Sequence, residues 1–284
     1  MDDEPRPSEP PPRWSPPPEP GDANDPARRF FNGVAVQDLG LGDAISTGFR
    51  VLSKWNFLVP VLVVSVIVTF TLITALGPII RDQLVRGSAA LDGRMSIVIS
   101  SAIVAIIGSL FAATYGQVWL IAATSGPEPS IGEALRRSLD RWLAVLGSGF
   151  LSGLILVFAS LPLAFLLGRG GSTMDVVLVL VFVPPLLWLG ARLTFATWLA
   201  ADGRGPIESV RQSWQMTRGL VLRVIGWRLA YGLLIAAVGL ALGLVLDRFA
   251  LGTAINQGIA LAIEFGATIA LYRKVEADAP GIAP

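Results

Sequence analysis

The chain has 284 residues, 53% of them hydrophobic and 15% charged, with a net charge of +1. A water-soluble domain carries about 25% charged residues, so one large soluble globule is excluded, and so near-neutral a chain has no overall pull on nucleic acid. Cysteine and histidine are both absent, which excludes disulfides and thiol-ligated metals and removes the commonest general base and metal ligand.

Residues 1–26 hold ten of the twenty prolines and seven acids, with Trp14 the large apolar side chain. Such a stretch cannot bury enough surface to offset its ordering entropy, so a disordered, partly polyproline-like cytoplasmic tail is expected, reaching about residue 37. Its acidic start is not that of a signal peptide. Pro16-Pro17-Pro18 leaves open a second reading, docking to a proline-recognising partner.

Asp38 to Lys54 reads as an amphipathic helix with Leu41, Ile45, Phe49 and Leu52 as its apolar stripe. A first span follows over about 57–76, with Gly77-Pro78 marking its exit, and a second over about 97–122. Crossing ~30 Å of hydrocarbon takes about 20 apolar residues, and each run has that length. Ser130 and Glu133 have capping-box spacing and open a second amphipathic stretch, with Ile131, Leu135, Leu139 and Trp142 as the stripe and Arg136 and Arg137 facing away. The third and fourth spans cover about 143–167 and 176–200, and Pro184-Pro185 is expected to bend or break the fourth. Pro206 to Gly219 is the third amphipathic stretch. Ile207, Val210, Trp214 and Thr217 share one face, while Glu208, Arg211, Gln212, Gln215 and Arg218 take the other. The last two spans cover about 221–246 and 253–272. The chain therefore reads as an all-α polytopic membrane protein with six transmembrane helices and three cytoplasmic amphipathic interfacial helices.

Of the 22 arginines and lysines, only Arg81, Arg86, Arg94, Arg169 and Arg248 fall on the side opposite the amphipathic stretches, leaving 17 on or near theirs. The positive-inside rule then makes both termini and the amphipathic stretches cytoplasmic.

Aligned on Asp43, Glu133 and Glu208, the three stretches repeat a register. The next residue is small (Ala44, Ala134, Ser209) and the one after is aliphatic. Five past the acid comes Gly48, Ser138 or Ser213, and six past comes Phe49, Leu139 or Trp214. Each stretch precedes an outgoing and a returning span, which gives parallel repeat units of about 38–124, 128–201 and 204–273, with a short tail over 275–284.

Glu208 to Gly219, preceded by the turn Ala201 to Pro206 and foreshadowed at Ile131 to Ser138, resembles the membrane domain associated with some glycerophosphoryl diester phosphodiesterases, and stand-alone bacterial multi-pass membrane proteins of the same pattern. The resemblance covers roughly 38–274 and implies a six-span helical fold. In those enzymes catalysis belongs to a separate soluble barrel that uses acidic residues, histidine and a metal. This chain has neither histidine nor such a domain, so no enzymatic activity, catalytic residue, cofactor or metal is expected.

Three ionisable residues lie inside spans: Arg192, Arg228 and Glu264. Such groups are costly in a bilayer and call for a partner. All three fall at similar depth, so Glu264 can pair with Arg192 or Arg228, as a structural ion pair or as a site for an anionic lipid headgroup or substrate. Gly149-x-x-x-Gly153, Gly239-x-x-x-Gly243 and the run Gly108, Ala112, Gly116 permit close helix packing. Trp55, Trp142, Trp198 and Trp227 have the spacing of an interfacial belt. Gln117, Asn256 and Gln257 are placed to hydrogen-bond between helices.

The expected function is that of a non-enzymatic membrane scaffold or accessory module. Its interfacial motif (Asp43, Glu133, Arg136, Arg137, Glu208, Arg211, Ser213, Trp214 and Arg218) would meet anionic lipid headgroups. The alternative is a carrier or lipid-handling protein with its site at Arg192, Arg228 and Glu264. A protein partner or a second copy of the chain is left open, and nucleic acid is not expected. Because the chain has no cysteine, topology is testable with one. A Gln215→Cys variant should resist an impermeant thiol reagent in intact cells and react after permeabilisation. Labelling in intact cells would invert the orientation.

Overall fold

The computed structural model describes residues 25–86, 95–166, 172–246 and 250–278. The Pro-rich tail before Asp25, together with Arg94, Arg169 and Arg248, lies outside the described residues. Regular structure among the described residues is helical. Six stretches are long and apolar enough to cross a bilayer, where only a backbone that satisfies its own hydrogen bonds is stable. They are α3 (Trp55–Arg86), α4 (Met95–Ser125), α5 (Ile131–Leu166), α6 (Ser172–Leu193) continued by α7 (Ala196–Ala201), α9 (Val221–Leu246) and α10 (Ala250–Asp278). Three further α-helices are α1 (Pro26–Phe30), α2 (Leu41–Val51) and α8 (Pro206–Met216), with a single 3-10 turn at Val36–Asp38 between the first two. The end of the bundle that carries α1, α2 and α8 is its base.

Several boundaries differ from the sequence expectation. Residues 25–37, expected in the disordered tail, are folded: Asp25 caps α1 by accepting from the Ala27 N–H, and Phe31 and Leu39 are buried with Ala44 and Ala270. The apolar residues that follow the prolines supply the burial that the tail lacks. Helix α3 does not stop at Gly77-Pro78 but runs to Arg86. The second amphipathic stretch is continuous with its span in the 36-residue α5. The others are separate because a turn intervenes at Leu52–Lys54, and because Gly219 takes φ +82° after α8, a conformation that ends helices. At the C-terminus, α10 continues through Arg273 and Lys274 with Val275 buried.

The expected break at Pro184-Pro185 is absent; α6 runs through both prolines and ends at Leu193. The interruption lies at Thr194-Phe195, where a partner from another element replaces the lost ladder bonds. The Ser213 hydroxyl of α8 donates to the Arg192 carbonyl at 2.7 Å and accepts from the Phe195 N–H at 3.2 Å. A helix can open where its freed groups are satisfied elsewhere, and Ser213 does that here.

The base is held by small residues. Helix α2 packs on α10, the first turns of α5 on the end of α4, and α8 on α7. Two of these contacts join neighbours in the chain, and α2 on α10 closes the ring. The inward positions are those one and five past each acid: Ala44, Ala134 and Ser209 are 0% exposed, as are Ser138 and Ser213, and Gly48 is buried. A Cβ on Gly48 would lie 2.8 Å from the Ile263 carbonyl, and one on Gly266 2.7 Å from the Gly48 Cα. Much of the apolar stripe of the same helices turns outward, Leu139 being 60% and Ile207 76% exposed, while Val51 and Met216 at the ends of α2 and α8 are buried in the core. Thr217 and Gln212 depart from the expected faces and are buried. Gln212 turns inward to accept from Arg204.

Above this ring the returning helices and the first turn of α3 meet in an aromatic core. Phe57 contacts Trp119 at 5.4 Å and Phe265 at 6.5 Å, and Trp198 stacks on Tyr272 at 6.1 Å. Trp198 is therefore a core residue, not a belt residue, whereas Trp55 is exposed and Trp142 packs on Phe111. Arg273 ties α10 to the end of α4 by donating to the Thr124 and Ser125 hydroxyls and to the Ile121 carbonyl. Polar cross-links add register: Gln117 to Thr197, Thr69 to Gln257, and Asn256 to the Gly239 carbonyl, each at 3.0 Å. Of the glycine runs, Gly108 and Gly116 pack tightly on Val68 and Phe265, while a Cβ on Gly153 or Gly239 would meet nothing within 4 Å.

These contacts rank glycines by their tolerance. Gly48→Val should lower stability in detergent by about 1–3 kcal/mol through overpacking against α10. Gly226→Ala, where nothing lies within 4 Å, should be neutral or stabilising by up to ~1 kcal/mol. Equal melting shifts for the two would contradict the close approach.

Candidate functional site

Arg192, Arg228 and Glu264 do not form one cluster. Arg228 is seven residues into α9, roughly 10 Å from its start. It donates to the Thr194 hydroxyl at 3.1 Å, and its guanidinium lies 3.6 Å from the Glu264 carboxylate of α10. Arg192 goes elsewhere. Its guanidinium sits over the Trp188 and Trp214 rings, 4.9 and 5.2 Å from their centroids, and donates to the Trp214 carbonyl at 2.8 Å. The two rings meet edge to face at 5.3 Å. Of the two pairings open to Glu264, the structure forms the one with Arg228 and uses Arg192 to lock α8 onto α6.

Sequence reasoning missed Thr194, Trp188 and Gly190. The spacing of Trp188 and Arg192, one helical turn apart, was the available signal for the clamp. Thr194 becomes an accessible partner because the helix breaks beside it.

Beside Arg228 the helices part. A cavity of about 370 Å³ opens between α5, α6 and α9, lined by Leu156, Val183, Leu187, Gly190 and Ile225 among others, with Arg228 as the charged residue in its wall. This is the size class of small-molecule sites, and apolar walls with a few placed polar groups are their usual make-up.

The interfacial motif lies apart, around the base. The Asp43 carboxylate accepts from the Gly40 N–H at 2.9 Å, capping α2. At α5 half of the capping box forms: the Ser130 hydroxyl accepts from the Glu133 N–H at 3.3 Å, but the Glu133 carboxylate pairs with Arg137 at 2.6 Å. Arg136, Glu208, Arg211 and Arg218 are exposed, Ser213 is buried at the α6–α7 break, and Trp214 is partly exposed on the outer face. The motif thus divides into caps, inward packers and an outward charged surface.

Two base cavities carry mixed charge. One, of about 400 Å³ under α1, is bordered by Arg29, Arg50, Lys54 and Glu128. Lys54 pairs with Glu128, and Arg50 donates to the Phe30 carbonyl at 2.6 Å. Burial pushes the Arg50 guanidinium below its ordinary value, with Asp43 opposing. The other, of about 460 Å³ between α4 and α5, is bordered by Arg137, Asp140, Arg141 and Asp202. Arg137 is held by Glu133 and Arg141 by the Gly203 carbonyl at 3.1 Å. Of these charges, Lys54, Arg50 and Arg141 join separate segments, while the Arg137–Glu133 pair lies within α5. No family model, curated protein or solved structure matches the chain.

The Arg228–Glu264 pair joins α9 to α10. In a double-mutant cycle with Arg228→Gln and Glu264→Gln, followed by thermal unfolding in detergent, the coupling should be about 1 kcal/mol. Strict additivity would remove the pair from the fold's energetics.

Proposed function

We propose that this multi-pass membrane protein is a non-enzymatic scaffold or accessory module of a bacterial inner membrane, with its base at the cytoplasmic face. It would be built from three parallel helical units, and the resemblance to the phosphodiesterase-associated membrane domain, carried by the interfacial stretches and covering roughly 38–274, would fit such a module. The observation that carries the reading is the division of labour at the base. Small residues face the bundle, while Leu135, Leu139, Ile207 and Trp214 face outward beside exposed Arg136, Arg211 and Arg218. Large apolar side chains flanked by cations suit a helix lying among anionic headgroups, where each Lys or Arg adds ~1 kcal/mol of attraction. A ring closed by glycine contacts and an aromatic core favours a rigid platform over a rocking one.

The second reading, a carrier, draws on the cavity beside Arg228 and the break in the fourth span. Reconstitution separates the two. Proteoliposomes should move fluorescent phospholipids and anionic solutes no faster than protein-free vesicles. Flux that disappears in a folded Arg228→Gln or Glu264→Gln variant would replace the scaffold with a carrier.

A further inference from the structure

We infer that the cleft between α5, α6 and α9 seats one anionic phospholipid from the leaflet at the base, its phosphate on Arg228 and an acyl chain along the apolar wall. The inference goes beyond the scaffold reading and stands without it, because it rests on the shape and charge of this one cleft.

Three observations fit together. The wall runs along α6 from Ala191 to Val183, about 12 Å along the helix, and is apolar throughout that length. Arg228 lies at the end nearer the base, beside Thr194. A cation toward the base and hydrocarbon toward the midplane is the polarity of a phospholipid in that leaflet. The third observation is the Glu264 contact. At 3.6 Å it is too long for a hydrogen bond, so the carboxylate offsets part of the charge while the guanidinium N–H groups not given to Thr194 can donate to phosphate.

Other occupants match less of this. A zwitterionic lipid would fill the wall and offer the same phosphate, but it would bring its ammonium close to the Arg228 guanidinium, which weakens the attraction. An apolar helix from a second copy would cover the arginine with hydrocarbon, which is costly for an ion inside a bilayer.

Gly190 gives a way to block the wall without touching the arginine, since a Cβ there meets nothing within 4 Å. The test is native mass spectrometry of the full chain in detergent, titrated with phosphatidylglycerol and with phosphatidylcholine of the same chains, folding being checked by helical melting. Wild type should hold one phosphatidylglycerol and bind phosphatidylcholine roughly tenfold more weakly, about the effect of bringing one ammonium close to the guanidinium at the bilayer edge. Arg228→Gln should bring phosphatidylglycerol down to the phosphatidylcholine level. Gly190→Leu should weaken both lipids, and it carries the test alone if Arg228→Gln does not fold. Equal binding of the two lipids by wild type would overturn the inference. So would unchanged phosphatidylglycerol binding in folded Gly190→Leu, or a dimer that forms in place of the lipid complex.

Discussion

Close approach between helices at the base is the constraint on which the rest of the structure depends. The facing backbones of α2 and α10 meet through Gly48 and Gly266, with no room for a Cβ on either. In hydrocarbon, helices gain little from burying apolar side chains against one another, because lipid is as apolar as leucine. Association rests on dispersion and hydrogen bonds, which small residues permit by letting backbones touch. Glycine, alanine and serine at the positions one and five past each acid supply that contact at all three base helices. Substituting bulk there would separate the elements that hold the returning spans together.

From this ring the remaining features follow in order. Ser213, brought inward by α8, satisfies the backbone freed where span four divides into α6 and α7. That division places Thr194 within reach of Arg228, and Trp214 over Arg192. The same docking holds Trp198 and Phe195 in the aromatic core with Tyr272. The outer parts of α5, α6 and α9 are held by no comparable ring, and many of their large side chains are exposed. The cleft beside Arg228 opens where the packed base gives way to these looser spans.

The six spans and their order were legible because a 20-residue apolar run has few alternatives to crossing a bilayer. The inward direction of the base helices was less so. In water an apolar stripe marks the buried face, but at a membrane surface the same periodicity marks the face turned to lipid. The register of small residues was visible, yet only the structure identifies Ala44, Ala134 and Ser209 as the packed side. Pro184 and Pro185 do not break the fourth span, since a helix bundle can satisfy what proline frees, and the interruption falls at Thr194 instead. Distance from the span's end puts Trp198 in the belt, but that measure is blind to the direction a side chain takes around the helix. Depth alone paired Glu264 with either arginine. The choice of Arg228 depends on how α9 and α10 are rotated, and the cleft depends on how α6 splays from α9, so neither can be read from spacing.

The central claim is that the outward apolar residues of the base helices, Leu139 and Ile207 among them, face the bilayer while the small residues of the register face the protein. Spin labels on Leu139→Cys and Ile207→Cys, each introduced into a chain without other cysteines, measure it directly in proteoliposomes. Relaxation at both sites should respond more to lipid-soluble oxygen than to a water-soluble nickel chelate, with mobile spectra. Greater response to the chelate, or immobilised labels at both sites, would contradict it.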